Sequence, residues 1–173
     1  MPPATTVISE PPATLSACEA KLIERVREYG WQTIRVGASD SDDPAFSYTT
    51  GFWLTVEQPE VIVFDFPPQL SHDVFGQMMR LALNGQRFPI AKPVEGILTN
   101  EAVYFFPIKR EAAVEYLRSS QWFYKKTDFP AVQLAWSDPV GRFPWDRNFD
   151  PLMKRMSPDI SVRGWEDELR NPT

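Results

Sequence analysis

The sequence predicts a single α+β domain: a mostly antiparallel, curved β-sheet with about three helices packed on it. Three observations predict this. Apolar stretches of strand length recur along the chain between Pro, Gly and Asn, at a spacing too uneven for a sandwich. Helical periodicity marks only a few segments, too few for strict β-α-β alternation. The chain also carries 17 prolines in 173 residues, about double the usual share, which favours fixed loops and short elements over long helices. A barrel-like sheet with peripheral helices is the alternative, because residues 61–66 and 102–108 are apolar on both faces.

Residues 1–14 are rich in Pro, Thr and Ser and read as a flexible leader, expected to be dispensable for folding. A single domain follows over residues 15–160. Ser16 and Glu19 stand in capping-box relation, and Leu15, Cys18, Leu22, Val26 and Tyr29 recur on a helical stripe that Gly30 closes. Residues 31–36 read as a strand, and residues 37–44 as an acidic loop. Residues 46–53 alternate, with Phe46, Tyr48 and Phe52 on one face and Ser47, Thr49 and Gly51 on the other. The run at 61–66 suits a central strand. Ser71 is expected to cap a second helix carrying Val74, Phe75, Met78 and Leu81, closed by Asn84-Gly85. Residues 95–100 and 102–108 read as a hairpin turning at Thr99-Asn100-Glu101. A short helix through Ala113, Val114 and Leu117 and a last strand at 131–136 complete the domain. Residues 161–173 form a polar tail with one helical turn near Trp165.

Composition excludes several classes of function. The net charge is −5, and the sequence holds no cationic run beyond Lys125-Lys126 and Lys154-Arg155, so nucleic acid is not an expected partner. No apolar stretch approaches the ~20 residues that a membrane helix needs. The start of the chain lacks the basic and apolar regions of a secretory signal, so a cytoplasmic protein is expected. One cysteine, Cys18, and one histidine, His72, do not make a zinc site within one chain. The acidic loop fails as a calcium loop, with Ala45 where glycine is needed and Gly51 where glutamate is needed. Neither a dinucleotide fingerprint nor a phosphate loop is present, so no cofactor is expected.

The candidate site residues lie on two strands and one loop. Asp138-Pro139-Val140-Gly141 has the residues of a type I turn, which gives the Asp138 carboxylate a structural task of its own. Small or polar residues share a face at Ser47-Thr49-Gly51 and at Ala131-Gln133-Ala135. Such faces either admit a helix closely or form the floor of a pocket. If they form a pocket, Thr49, Gln133, Asp138 and Trp145 line it and Tyr48 supports it from the core. In the alternative, Tyr48 is a core tyrosine and Trp145 an anchor for its loop. His72 is expected to be a neutral surface residue.

Several of these stretches together resemble domain of unknown function family 4262, a mainly bacterial family of small proteins. They are Gly30-Trp31, Tyr48-Thr49-Thr50-Gly51, Pro59-Glu60, Gln133 to Asp138, and Gly141-Arg142-Phe143-Pro144-Trp145-Asp146. The resemblance spans about residues 16–160 and departs at Thr50, where an aliphatic residue is expected. It implies a fold relationship and carries no catalytic residues with it. The expected function is binding of a small molecule or a protein partner. Two other classes stand beside it: a small hydrolase or transferase using Tyr48, Thr49, Gln133 and Asp138, and an immunity- or interaction-type protein offering acidic segments to a basic partner.

Overall fold

The computed structural model describes residues 1–39 and 43–172; the middle of the acidic loop read at 37–44 lies outside the described residues. Ser16 and Glu19 form the predicted capping box, with Glu19 N donating to Ser16 Oγ at 3.2 Å and Ser16 N to Glu19 Oε2 at 2.7 Å. They open α1 (Ala17–Tyr29), which buries Leu22, Ile23 and Val26. Cys18 and Tyr29, placed on the apolar stripe by periodicity, are exposed instead. Gly30, at φ 83°, ends the helix and leads into β1 (Gln32–Val36).

The segment read as one strand at 46–53 is β2 (Phe46–Thr50) followed by a short helix, α2 (Phe52–Val56). The break falls at Gly51, whose φ of 114° ends the strand. β3 (Glu60–Phe64) is buried along its whole length. α3 (Pro68–Leu83) starts three residues before the expected cap: Pro68 takes the first helical position and Ser71 lies inside, donating from Oγ to Pro67 O at 3.2 Å. The hairpin β4 (Val94–Leu98) and β5 (Glu101–Pro107) turns at Thr99-Asn100 as predicted. Two short helices, α4 (Arg110–Tyr116) and α5 (Arg118–Tyr124), precede β6 (Ala131–Ala135), and α6 (Pro151–Met156) and α7 (Trp165–Arg170) end the chain.

The α+β reading holds, with seven helices rather than about three among the described residues. The four additional helices have seven residues or fewer; α7 stands where one helical turn is expected near Trp165, and α2, α5 and α6 are too short for an apolar period to show in the sequence. The six strands form one open sheet in the order β1-β2-β3-β6-β5-β4, not a barrel. Only the β3–β6 pairing is parallel, so the sheet is mixed. One face packs under α3, where Val61, Val63, Val132 and Leu134 meet Phe75, Met78 and Met79. The other carries Tyr48, Ile62 and Phe64 under α1, α4 and α5. Burial of both faces explains why β3 has no alternating pattern.

Both chain ends are packed. Thr6 and Val7 are buried, Val7 N donates to Phe123 O at 3.0 Å, and Arg27 Nη2 donates to Ile8 O at 3.2 Å. Buried Val7 and half-buried Ile8, with main-chain support, hold a segment whose composition reads as flexible. Deleting residues 1–10 is therefore expected to remove about 2 kcal/mol of burial and lower the melting temperature by roughly 5 °C. Val7→Asp should reproduce most of that loss, and an unchanged melting curve for both variants would show the contact to be idle. At the other end, Trp165 is buried against Phe106 and Trp145, and Val162 N donates to Pro107 O at 2.9 Å.

Candidate functional site

The five residues proposed from sequence are placed apart. Tyr48 pairs with Ile62 and Ile62 with Gln133, so these three form a line across one face of the sheet. Thr49 alternates off that line, and its hydroxyl fills the opening between β2 and β3. The Gln133 amide holds the chain after α6, donating to Pro158 O at 2.7 Å and accepting from Ile160 N at 3.3 Å. Asp138 Oδ1 accepts from Val140 N at 3.0 Å and Arg142 N at 2.9 Å, the task its turn sequence implies. Trp145 is half-buried, stacked on Phe143 at 5.0 Å and edge-on to Tyr104 and Phe106. Each is occupied where it stands, and the clefts described below are lined by other residues.

Thr49 belongs instead to a buried polar node around Glu60. Glu60 is fully buried at the start of β3, and its Oε2 accepts from Thr49 Oγ1 at 2.6 Å. Its Oε1 accepts from Gly51 N at 3.0 Å, from Trp53 N at 3.1 Å, and from the Tyr124 hydroxyl. Thr49 Oγ1 accepts in turn from Val61 N at 2.9 Å. Since Gly51 offers no side-chain cap, the Glu60 carboxyl satisfies the first N–H groups of α2. Burial raises the Glu60 pKa above the usual carboxylate range, against the lowering effect of these donors. Burial, and then the Glu60 charge, raises that of Tyr124. The node ties β2, α2, β3 and α5 together and is a structural carboxyl.

The groups free to act lie at the edge of the sheet, on β1 and the helices beside it. Lys21, Arg25 and Tyr29 are spaced four apart on α1 and so share a face of the helix. That face looks onto β1 across a cleft of about 610 Å³, whose lining also includes Trp31, Thr33, Arg35 and His72. Trp31 is 9% exposed and the His72 ring stacks on it at 5.2 Å. His72 Nδ1 and Thr33 Oγ1 are hydrogen-bonded at 2.9 Å, which fixes the ring in the wall of the cleft. Arg25 lies 5.3 Å from the Tyr29 ring centroid and 3.9 Å from Glu28, a long ion pair. Among the described residues Lys21 and Arg35 have no carboxylate within ion-pair distance. A second cleft of about 500 Å³ shares Lys21, Gln32, Thr33 and Arg35 with the first. It adds Leu22, Ile34, Trp122 and Arg118. Both volumes fall within the range of small-molecule sites.

The opposite edge of the sheet has the opposite sign. A cleft of about 790 Å³ between α3 and the β4–β5 hairpin is lined by Asp73, Glu95 and Glu101 and, among the described residues, by no cation. Among the described residues, no group of three or more His, Cys, Asp or Glu side chains is placed to hold a metal ion. No helix among the described residues is long and apolar enough to cross a membrane.

The basic cleft leaves no run of adjacent cations in the sequence. Its members come from the exposed face of α1, the edge strand with Trp31 before it, and the second turn of α3. The legible part is the i, i+4 pair Lys21 and Arg25 on the flank of the Leu22 and Val26 stripe of α1, followed by Trp31 and Arg35.

The family model described as a domain of unknown function, DUF4262, matches residues 25–150. That span runs from the last turns of α1 to the loop after β6, and includes Arg25, Trp31, Arg35, Glu60 and His72. No curated protein and no solved structure matches the chain.

Proposed function

The chain belongs to the DUF4262 family, whose description assigns no activity, and we propose from the site alone that it is a binding domain for an anionic partner. The observation that carries this is the convergence of Lys21, Arg25 and Arg35 on one aromatic-walled cleft that, among the described residues, no carboxylate lines. In a chain of net charge −5 such a concentration of one sign runs against the average, and its field is local, fading over the roughly 8 Å Debye length of physiological salt. Arg25 and Arg35 present planar donor forks suited to carboxylate or phosphate oxygens, and Lys21 a mobile point charge. Tyr29 and Trp31 supply a stiff apolar wall, and His72 offers its second ring nitrogen to the ligand. With Glu60 sealed in the core and Asp138 spent on its turn, binding is better supported than the hydrolase or transferase reading.

Titration calorimetry with a glutamate-rich peptide and with inorganic pyrophosphate tests this. At least one is expected to bind the wild-type chain, more weakly as salt rises. The triple variant Lys21→Ala, Arg25→Ala, Arg35→Ala is expected to lose about tenfold in affinity per cation removed. All three side chains are at least partly exposed, so the melting temperature should not move. Equal affinity in the folded triple variant, or no binding of either anion to the wild type, would remove the reading.

A further inference from the structure

We infer that the occupant of this site is an extended acidic segment of another protein, paired as a further strand along the open edge of β1. The inference rests on the anion-binding reading and says which anion. β1 is the last strand of its sheet and bonds only to β2. Among the described residues, no other main-chain group pairs with Gln32 to Val36. The two clefts share Gln32, Thr33 and Arg35, and the second adds Ile34. Side chains of consecutive strand residues point to opposite faces, so clefts that meet all four run along the strand's backbone edge rather than over one face.

That geometry sets what a pairing strand must look like. Arg25, Trp31 and His72 line the first cleft alone. Leu22, Ile34 and Trp122 form an apolar floor beside Arg118 in the second alone, while Lys21 and Arg35 line both. A strand laid between them sends alternate side chains to each side, and carboxylates alternating with bulky apolar residues satisfy both. β1 offers five residues, about 17 Å of ladder. Among the described residues the only carboxylate in either lining is Glu19, which is held by Ser16 in the capping box.

Edge strands are commonly guarded by charge against pairing with other chains, and Arg35 alone would serve for that. A guard of four cations, Lys21, Arg25, Arg35 and Arg118, repels neutral and basic strands but attracts acidic ones. It therefore selects a partner as well as protecting an edge.

The test is a ten-residue peptide alternating glutamate and valine, with two versions N-methylated at the odd or the even peptide bonds. Strand pairing uses the N–H groups of one peptide edge only. The unmethylated peptide and one methylated form are therefore expected to bind, with the other at least tenfold weaker. The amides of β1 should exchange more slowly in the complex. If both methylated forms bind like the parent, or if polyglutamate or pyrophosphate binds as well as the alternating peptide, strand pairing is overturned while the anion-binding reading stands. If no anion binds, both fall. Sedimentation of the free chain closes the remaining route: growth with concentration, abolished by Arg35→Glu and by Glu95→Lys, would give the edge to the acidic β4 edge of a second copy and overturn the proposal.

Discussion

Glu60→Leu is expected to lower the melting temperature by roughly 10 °C, whereas Glu60→Gln should stay close to the wild type and lose one specific pH dependence. The carboxyl accepts from Thr49, Gly51, Trp53 and Tyr124 in a fully buried setting. Leucine removes every acceptor. The two hydroxyls can turn to other partners, but the Trp53 N–H cannot, and α2 loses the group that satisfies its start. With one to three kcal/mol for each buried donor left unmet, the loss is on the order of 4 kcal/mol, a large part of a typical domain's stability. Glutamine retains one carbonyl for Gly51 and Trp53 and places its amide where a protonated carboxyl would donate, toward Thr49 Oγ1. It therefore imitates the neutral acid. Because burial raises the folded pKa above 4.5, the folded protein holds a proton that the unfolded chain has released. Wild-type stability from this group is then full below about pH 4.5 and declines as pH rises toward the folded pKa. Chemical denaturation of both proteins between pH 4 and pH 8 measures it. The glutamine variant should gain on the wild type as pH rises, and parallel profiles would mean that Glu60 titrates like a surface carboxylate.

The parts of the fold legible in sequence are those whose signal is local. The capping box at Ser16, the left-handed Gly30 and the hairpin turn at Asn100 all appear where their residues place them. So does the Asp138 turn. The start of α3 was misplaced because two signals compete there. Ser71 has the chemistry of a cap, but Pro68 suits a first helical position and no main-chain conflict stops the helix earlier. The break between β2 and α2 was illegible for another reason. Phe52 continues the alternation begun by Phe46 and Tyr48, and what turns the chain is a carboxyl nine residues on. The site shows the same limit. Thr49, Gln133 and Asp138 each have a polar group that suits a pocket; Asp138 is committed to the turn its own sequence announces, but Thr49 and Gln133 are committed to partners distant in sequence. The cations that remain free come from α1, β1 and α5, brought together by the edge position of β1. Sequence order carries no record of that.

Gly51→Ala should cost about 3 kcal/mol or more, far beyond what the same change costs at Gly141. Both glycines have positive φ, 114° and 82°, so alanine is strained at either, by about 1–2 kcal/mol. Their surroundings differ. A Cβ at Gly141 meets nothing within 4 Å, while one at Gly51 falls 2.5 Å from Gly30 O and 2.8 Å from Trp31 Cα. Those atoms are main chain and have little freedom. Gly30 O accepts from Thr55 Oγ1 at 2.6 Å, and Gly30 N donates to Val26 O at 2.9 Å. A methyl group at Gly51 must therefore push the α1–β1 turn away from α2. That displaces Gly51 N from Glu60 and Trp31 from the floor of the basic cleft together. At the 2–4 °C per kcal/mol of a domain this size, Gly51→Ala should lower the melting temperature by roughly 10 °C and Gly141→Ala by less than half of that. The surviving folded fraction of Gly51→Ala should also bind the anionic probes more weakly, with Lys21, Arg25 and Arg35 all present. Equal destabilisation at the two positions would show that backbone strain alone sets the cost, and that the two turns do not bear on one another.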